Sequence, residues 1–430
     1  MEKCDPRYQM YVSILREEML VAMGCTEPVA VAYAAAVARS VLDAPEKLTK
    51  CRLYVSGNII KNVKSVVVPN TDGMKGMETA VAMGAAAGNE KAGLQVIANV
   101  DEAGKEKTRA LRSSWDFQMS AADSPKIFYI EVILETPEES ARAVIADNHT
   151  NVTVLEHNGV SMPLDAFGNR EVCAEVETTD RSQMNVKDIL EFANDVQLED
   201  VEDLLERQIR LNTAIAEEGL NHPWGAQIGR TMLKSECADI YVRAAAAAAA
   251  GSDARMSGCE LPVAIVSGSG NQGLTASMPV VVYARETGAA QEKLYRALLV
   301  SNLITIHQKT SIGRLSAFCG ATSAGVGAAC GVAYLDGGGY REIAHVIVNA
   351  LAILSGMVCD GAKPSCAGKI AMAVQNGLFG YRMFRNGLQF YGGDGIVTKG
   401  VENTIANVGR LANQGMRQTD CEILSIMTNR

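Results

Sequence analysis

The spacing of apolar and polar positions changes twice along the chain. Residues 8–41 carry helical spacing that is interrupted once, at the sequence GCTEP (24–28). From about residue 50 to 165, short segments rich in Val and Ile, such as KCRLYVSGNIIK and KIFYIEVIL, are punctuated by Gly, Asn and Asp and predict strands. After a polar stretch at 166–184 the spacing is helical almost to the end. The pattern predicts an α+β fold.

Three regions follow from these changes. We expect N-terminal helices over 1–48 that pack on the catalytic domain, a small mixed α/β module over 49–165, and a large, mostly helical catalytic domain over 166–430. Within the module, the segments KSVVVPN, LQVIANV and NVTVLEHNGV also predict strands. Residues 76–87 and the segment PEESARAVIAD predict helices.

The second half contains several helix signals. Asn185 can cap the segment VKDILEFAND, and the seven alanines of 244–250 favour a helix with Gly251 as its C-cap. Further helices are predicted at 288–307, 322–335, 341–356, 366–379 and 400–413.

Composition and charge exclude several classes of protein. The chain has 430 residues, of which 48% are hydrophobic and 21% charged, which is typical of a globular protein. Its formal net charge of −9 argues against nucleic acid as a partner, because phosphate binding needs a positive field. The N-terminal segment is charged throughout and predicts a cytoplasmic protein, and the most apolar run, 344–359, is too short and too polar to span a bilayer.

Eleven cysteines in a chain of this type are unusual, and their odd number argues against a disulfide scaffold. Cys319, Cys359 and Cys366 lie in segments rich in Gly and other small residues. Three thiolates converging from two loops can hold three irons of a 4Fe-4S cluster and leave the fourth iron open to substrate. Cysteines that pack helices together, or a zinc site, are the alternatives from spacing alone.

Polar loops supply candidate substrate contacts. The sequence SGSGNQG (267–273) offers backbone N–H groups and the side chains of Ser269, Asn271 and Gln272 to a carboxylate or a phosphate, although a simple turn fits it equally well. Asn70 in PNTDG, His149 in DNHTN and Lys363 in GAKPSC are further candidates.

One cysteine outside these loops is also a candidate for chemistry. Cys25 follows Gly24 and precedes a predicted helix, where the helix dipole lowers the pKa of a thiol. An inert cysteine in a capping turn is the alternative.

Four segments together resemble a known family: MGCTEPVAVAYAAA, GSGNQGLTASMPVV, SAFCGATSAGVGAACG and GMVCDGAKPSCAGK. The chain resembles the iron-sulfur L-cysteine desulfidases, which are related to the alpha component of bacterial iron-sulfur L-serine dehydratases. The resemblance implies a 4Fe-4S cluster on Cys319, Cys359 and Cys366, and Cys25 as the catalytic base. It also implies α,β-elimination of L-cysteine to sulfide, ammonia and pyruvate.

Other functions stay open at this point. L-Serine could be the substrate of the same elimination, although the Ser-rich motif ending in His-Thr of the serine dehydratases is absent. A pyridoxal-phosphate lyase would use SGSGNQG for the phosphate and Lys363 or Lys369 for the Schiff base. An iron-sulfur sensor would turn over no substrate. We expect a small amino acid as the binding partner, and the sequence leaves the oligomeric state open, a homodimer included.

Overall fold

The computed structural model describes residues 1–24, 26–164, 179–234, 238–313 and 316–428. The helices of these ranges are α1 (Pro6–Glu18), α2 (Thr26–Arg39), α3 (Gly57–Val63), α4 (Met77–Ala87), α5 (Glu102–Ser114), α6 (Val186–Asp195), α7 (Glu202–Asn221), α8 (Ile228–Leu233), α9 (Ile240–Met256), α10 (Gly270–Thr287), α11 (Gln291–Ile312), α12 (Ala321–Leu335), α13 (Tyr340–Ile353), α14 (Cys366–Arg385), α15 (Val401–Arg410) and α16 (Arg417–Thr428). The strands are β1 (Val21–Met23), β2 (Lys50–Val55), β3 (Asp116–Ala121), β4 (Tyr129–Glu135), β5 (Ser140–Ala146), β6 (Val152–His157), β7 (Val160–Ser161) and β8 (Pro262–Ala264).

Six of the strands form one sheet in the order β3-β2-β4-β5-β6-β7. All neighbouring pairs are antiparallel except β2 and β3, which run parallel. Side chains along β2 and β4 alternate between buried and half-buried positions, as expected for a sheet with one covered face. The helix α2 packs on the sheet and α4 packs on α2, so the apolar residues of all three form one core.

Three predictions in this region are wrong in an informative way. The segment PEESARAVIAD contains β5 and not a helix, because its alternating Ala141, Ala143 and Ile145 pack into the sheet core and override its helical propensity. The segments KSVVVPN and LQVIANV form turns and a short 3₁₀ helix around α4 and not strands. Neither α5 nor β3 was predicted from the sequence, because few of their residues are buried and the apolar pattern is therefore weak.

A second core joins α1 with the helices of the C-terminal half. Here the predicted helices are confirmed as α11 to α15, and Asn185 caps α6 by accepting a hydrogen bond from the backbone N–H of Asp188 at 2.9 Å. The alanine-rich helix α9 packs against α7, α10 and α14. It continues through Gly251 to Met256, so the predicted C-cap is wrong, because tertiary packing outweighs the weak helix propensity of one glycine.

The α+β fold class is confirmed: an N-terminal helical segment is followed by a small sheet-containing part and a large helical part. The domain boundaries stay a prediction. Of the N-terminal helices, α1 belongs to the helical core and α2 to the sheet core. None of the helices in the described ranges is long and apolar enough to cross a lipid bilayer.

One buried acid in α9 gives a stability prediction. Asp253 is 1% exposed, and burial raises its pKa to about 6 although the backbone N–H of Gly229 donates to it at 3.1 Å. A raised pKa means that its contribution to stability is fully present below the unfolded pKa of 3.8 and is lost as pH rises through about 6. We therefore expect the free energy of unfolding of Asp253→Asn to increase, relative to that of wild type, by on the order of 1 kcal/mol between pH 5 and pH 8.

The measurement is denaturant-induced unfolding of both proteins at several pH values. Asp123→Asn, at an exposed loop position, is the matched control. If the stability difference between wild type and Asp253→Asn does not change with pH, burial does not raise the pKa of Asp253.

Candidate active site

A cavity of about 810 Å³ lies where the two cores meet. Its walls come from the start of α2, the turn between β5 and β6, the loop before α10, the segments that precede α12 and α14, and the C-terminal helix α16. Cys319, Cys359 and Cys366 all line it. The cavity therefore contains the three cysteines that the sequence singled out, on one continuous surface.

Two of the cysteines are brought together by a short piece of antiparallel pairing. Phe318 and Val358 form an isolated β-bridge. The N–H of Cys319 donates to Met357 O at 2.8 Å, and the N–H of Cys359 donates to Ala317 O at 2.6 Å. This pairing puts Cys319 opposite Met357 and Cys359 opposite Ala317, so the two cysteines are diagonal neighbours on one face of the bridge, where their thiols share a hydrogen bond.

The third cysteine is placed by a helix end and a tight turn. Cys366 is the first residue of α14, and its Sγ lies 3.7 Å from Gly361 O. Gly361 has φ +96°, and a Cβ on it would lie 1.9 Å from the carbonyl oxygen of Lys61 in α3. Only glycine fits this turn, both for its backbone conformation and for its close approach to α3.

Lysines surround the thiols. Lys309 of α11 is buried, and burial lowers its pKa to about 8 against the opposing influence of Cys359 and Cys319. The hydrogen bond between the thiols of Cys319 and Cys359, together with the charge of Lys61, lowers the pKa of Cys359, while the same hydrogen bond and burial raise the pKa of Cys319. The positive charges favour thiolates, which are the forms that bind metal.

The arrangement fits an inorganic cluster better than a single ion. Within the described ranges, the group of side chains close enough for one ion is Asp43, Glu139 and His157, and the three cysteines do not meet that spacing. Glu139 of this group is already used by the N–H groups of Asp43 and Ala44, at 3.0 and 2.8 Å. The thiols of Cys319 and Cys359 share a hydrogen bond while Cys366 lies farther off, and a group with several metal atoms could bridge this wider set.

The loop SGSGNQG forms another part of the wall. Ser269, Asn271 and Gln272 all line the cavity, and Ser269 caps α10. Gln272 is 6% exposed, and its Oε1 has no hydrogen-bond donor in the described structure. Its amide lies directly against Gly320, the residue after Cys319. The loop thus presents a buried amide group beside a cluster-ligand candidate.

The remaining predicted site residues are placed differently. His149 lines the cavity, with its ring 4.7 Å from that of Phe128. Asn70 does not line it and donates to the carbonyls of Ile97 and Val100, at 3.2 and 2.8 Å. Lys363 also lies outside the lining and pairs with Asp360. Cys25 lies outside the described residues.

Several charged residues of the cavity were not predicted from the sequence, among them Lys61, Arg255, Lys309 and Asp420. Lys61 is 1% exposed and donates to Asp420 of α16 at 2.6 Å and to Ser316 O at 3.3 Å. Lys61 and Lys309 stand in segments that otherwise read as apolar, which was the available signal, since a charge is rarely buried without a reason. Arg255 was missed because the predicted helix ended at Gly251, before this residue.

Comparison with known proteins now identifies the family. A sequence model described as the serine dehydratase alpha chain matches residues 91–425. The chain belongs to the serine dehydratase alpha chain family. The matched part contains Cys319, Cys359, Cys366 and Arg255, whereas Lys61 and the start of α2 precede it.

Full-length relatives extend the similarity over the first 90 residues. A UPF0597 protein of Desulfitobacterium hafniense is 56% identical, with 100% of this chain and 99% of the relative covered. UPF0597 proteins of Finegoldia magna (46% identical; 97% and 99% covered) and Treponema denticola (43% identical; 98% of each covered) are also similar. The family supports a lyase related to serine dehydratase.

The geometry of the cysteine turn predicts the effect of one methyl group. We expect Gly361→Ala to lower the free energy of unfolding by about 1–3 kcal/mol, because alanine is strained at φ +96° and its Cβ meets the carbonyl of Lys61. The measurement is the midpoint of thermal unfolding. Gly368→Ala, two residues after Cys366, is the matched control, since a Cβ there meets no heavy atom within 4 Å. Equal midpoints for the two variants would contradict the described turn.

Proposed function

We propose that this protein is a 4Fe-4S-dependent lyase that converts L-cysteine and water to sulfide, ammonia and pyruvate. The observation that carries the proposal is the convergence of Cys319, Cys359 and Cys366 on one cavity that the loop SGSGNQG also lines. Family membership supports the reaction class, since elimination from a β-substituted amino acid is what the name serine dehydratase describes.

The size of the cavity supports a cofactor beside the substrate. A volume of about 810 Å³ lies in the upper part of the range for drug-sized ligands, and L-cysteine is far smaller than such a ligand. A cluster on the three cysteines would take up part of this space. The remaining part lies beside Gln272 and Asn271, where the substrate would be held.

The chemistry divides between the cofactor and the chain. When bound, the cluster supplies a Lewis acid that stabilises negative charge on the substrate. The chain must remove the proton on the α-carbon as the bond between the β-carbon and sulfur breaks. We assign this role to Cys25, whose neighbours Thr26 and Glu27 line the cavity at the start of α2. A thiolate at such a position is a competent base near neutral pH.

L-Serine is the second candidate substrate, and the family name favours it. The same residues would remove the same proton, and hydroxide would leave in place of sulfide. The two substrates differ in the softness of the leaving atom, so a comparison of kcat/KM for both under the same conditions decides between them.

A pyridoxal-phosphate mechanism has less support. Lys369 donates to Val358 O and to Asp360, both at 2.7 Å, and Lys363 also pairs with Asp360. These ion pairs hold the pKa of Asp360 at about 2, although burial acts to raise it. Burial acts to lower the pKa of Lys369, but its hydrogen bond and ion pair with Asp360 raise it overall, so this amine is kept protonated and is a poor Schiff-base nucleophile.

The first test is reconstitution under anaerobic conditions with iron and sulfide. We expect about four irons and four acid-labile sulfides per chain, and release of sulfide and pyruvate from L-cysteine. Serine variants of Cys319, Cys359 and Cys366 should each lose most of the iron. Cys25→Ser should keep the iron and lose at least about 100-fold in turnover, since a general base contributes that much or more.

Cys4→Ser provides the control, because Cys4 is exposed and lies in the N-terminal segment outside the cavity lining. It should match wild type in iron content and turnover. A wild-type protein that binds iron but eliminates neither L-cysteine nor L-serine would instead be a sensor. One that binds no iron would favour the pyridoxal-phosphate alternative.

A further inference from the structure

Arg255 is a buried cation whose charge the described structure does not balance. It lies in the last turn of α9, is 3% exposed and lines the cavity. Its Nη1 donates to Asn271 Oδ1 at 3.1 Å, and its Nε is buried without an acceptor. No carboxylate oxygen of the described ranges lies within 4.0 Å of the guanidinium group.

The other buried cations that line the cavity have bonding partners. Lys61 pairs with Asp420, and Lys309 lies beside the cysteine thiols and donates to Gly313 O at 2.5 Å. Asp253 is the acid nearest to Arg255 in sequence, but residues two apart on a helix do not face each other, and Asp253 is bound to the N–H of Gly229. A buried guanidinium without a counter-charge is costly, so an anion is expected to complete this part of the site.

The position of Arg255 is fixed by the loop SGSGNQG. Gly270 leaves room for the guanidinium, since a Cβ there would lie 2.4 Å from Arg255 Nε. Asn271 holds Nη1 from the next position. A planar guanidinium held in this way presents a fork of N–H donors, which matches the two oxygens of a carboxylate.

We propose that Arg255 binds the α-carboxylate of the amino-acid substrate and that Asn271 positions it. This inference rests on the proposed function for the identity of the substrate. It places the carboxylate at the end of α9 and the α- and β-carbons toward the cysteines and α2. It also makes the site selective for free amino acids over their amides.

Binding of unreactive ligands tests the proposal apart from catalysis. L-Alanine has no leaving group on its β-carbon, and L-alaninamide lacks the carboxylate. With reconstituted wild-type protein, calorimetric titration should show L-alanine binding at least about 30-fold more tightly than L-alaninamide. Arg255→Met should lose at least about 30-fold in affinity for L-alanine and keep the wild-type affinity for L-alaninamide. Arg255→Lys should fall between the two for L-alanine.

The controls separate a structural effect from a binding effect. Arg207→Met removes a half-buried arginine that does not line the cavity and donates to Met19 O, so it should bind both ligands as wild type does. If Arg255→Met fails to fold, Asn271→Ala replaces it, with an expected loss of about 3- to 10-fold for L-alanine only. A loss of less than about 3-fold in Arg255→Met, an equal loss for both ligands, or no binding of L-alanine to wild type would overturn the proposal.

Turnover distinguishes this proposal from the proposed function. If wild type eliminates L-cysteine or L-serine and Arg255→Met leaves KM unchanged, the carboxylate assignment fails and the lyase stands. If L-alanine binding depends on Arg255 while neither amino acid is eliminated, the assignment stands and the lyase fails. If both the lyase and the carboxylate assignment are correct, KM for the substrate rises by about 30-fold or more in Arg255→Met and the iron content is unchanged.

Discussion

The pairing of residues 317–319 with 357–359 is the constraint on which the site depends. Two hydrogen bonds of 2.8 and 2.6 Å and one β-bridge hold together loops that are 40 residues apart in the chain. Such a short ladder has no stability of its own in water. It persists because α12 and α14, which follow the two loops, pack closely: a Cβ on Gly325 would lie 2.4 Å from Ala373 O. The small residues of α12 and α14 therefore help to hold the two cysteine loops together, because they let these helices pack closely.

The sheet-containing part completes a site whose cysteines all lie in the helical part. Its helix α3 contributes Lys61 in two ways: the backbone carbonyl packs on Gly361, and the ammonium group reaches the loop of Cys319 through Ser316 O. Asp420 of α16 is the counter-charge of this lysine. A single buried lysine thus joins the sheet core, both cysteine loops and the C-terminal helix, and loss of its partner would leave an unpaired charge in the interior.

The sequence predicted the parts of the site that depend on local pattern. Cysteines in glycine-rich loops, the SGSGNQG loop and His149 were found because their polar, turn-rich surroundings differ from those of core residues. Lys61, Lys309 and Arg255 were missed because each stands in an otherwise apolar helix, and only the tertiary structure shows that their charges meet in one cavity. The same reason explains the error at β5, where the context of the sheet and not the intrinsic propensity of Ala and Glu decides the conformation.

The positively charged side chains line different parts of the cavity and can orient a bound amino acid. Lys61 and Lys309 stand beside the cysteines, where they favour thiolates and would stabilise the negative charge of a cluster, while Arg255 stands at the loop before α10. An amino acid carries its carboxylate on the α-carbon and its leaving group on the β-carbon, so two separated positive regions can orient it. With the carboxylate at Arg255, the α-carbon proton would face the start of α2, where the sequence places Cys25. Different positive groups for the carboxylate and for the leaving group, more than any single residue, would suit the cavity to the β-elimination that we propose.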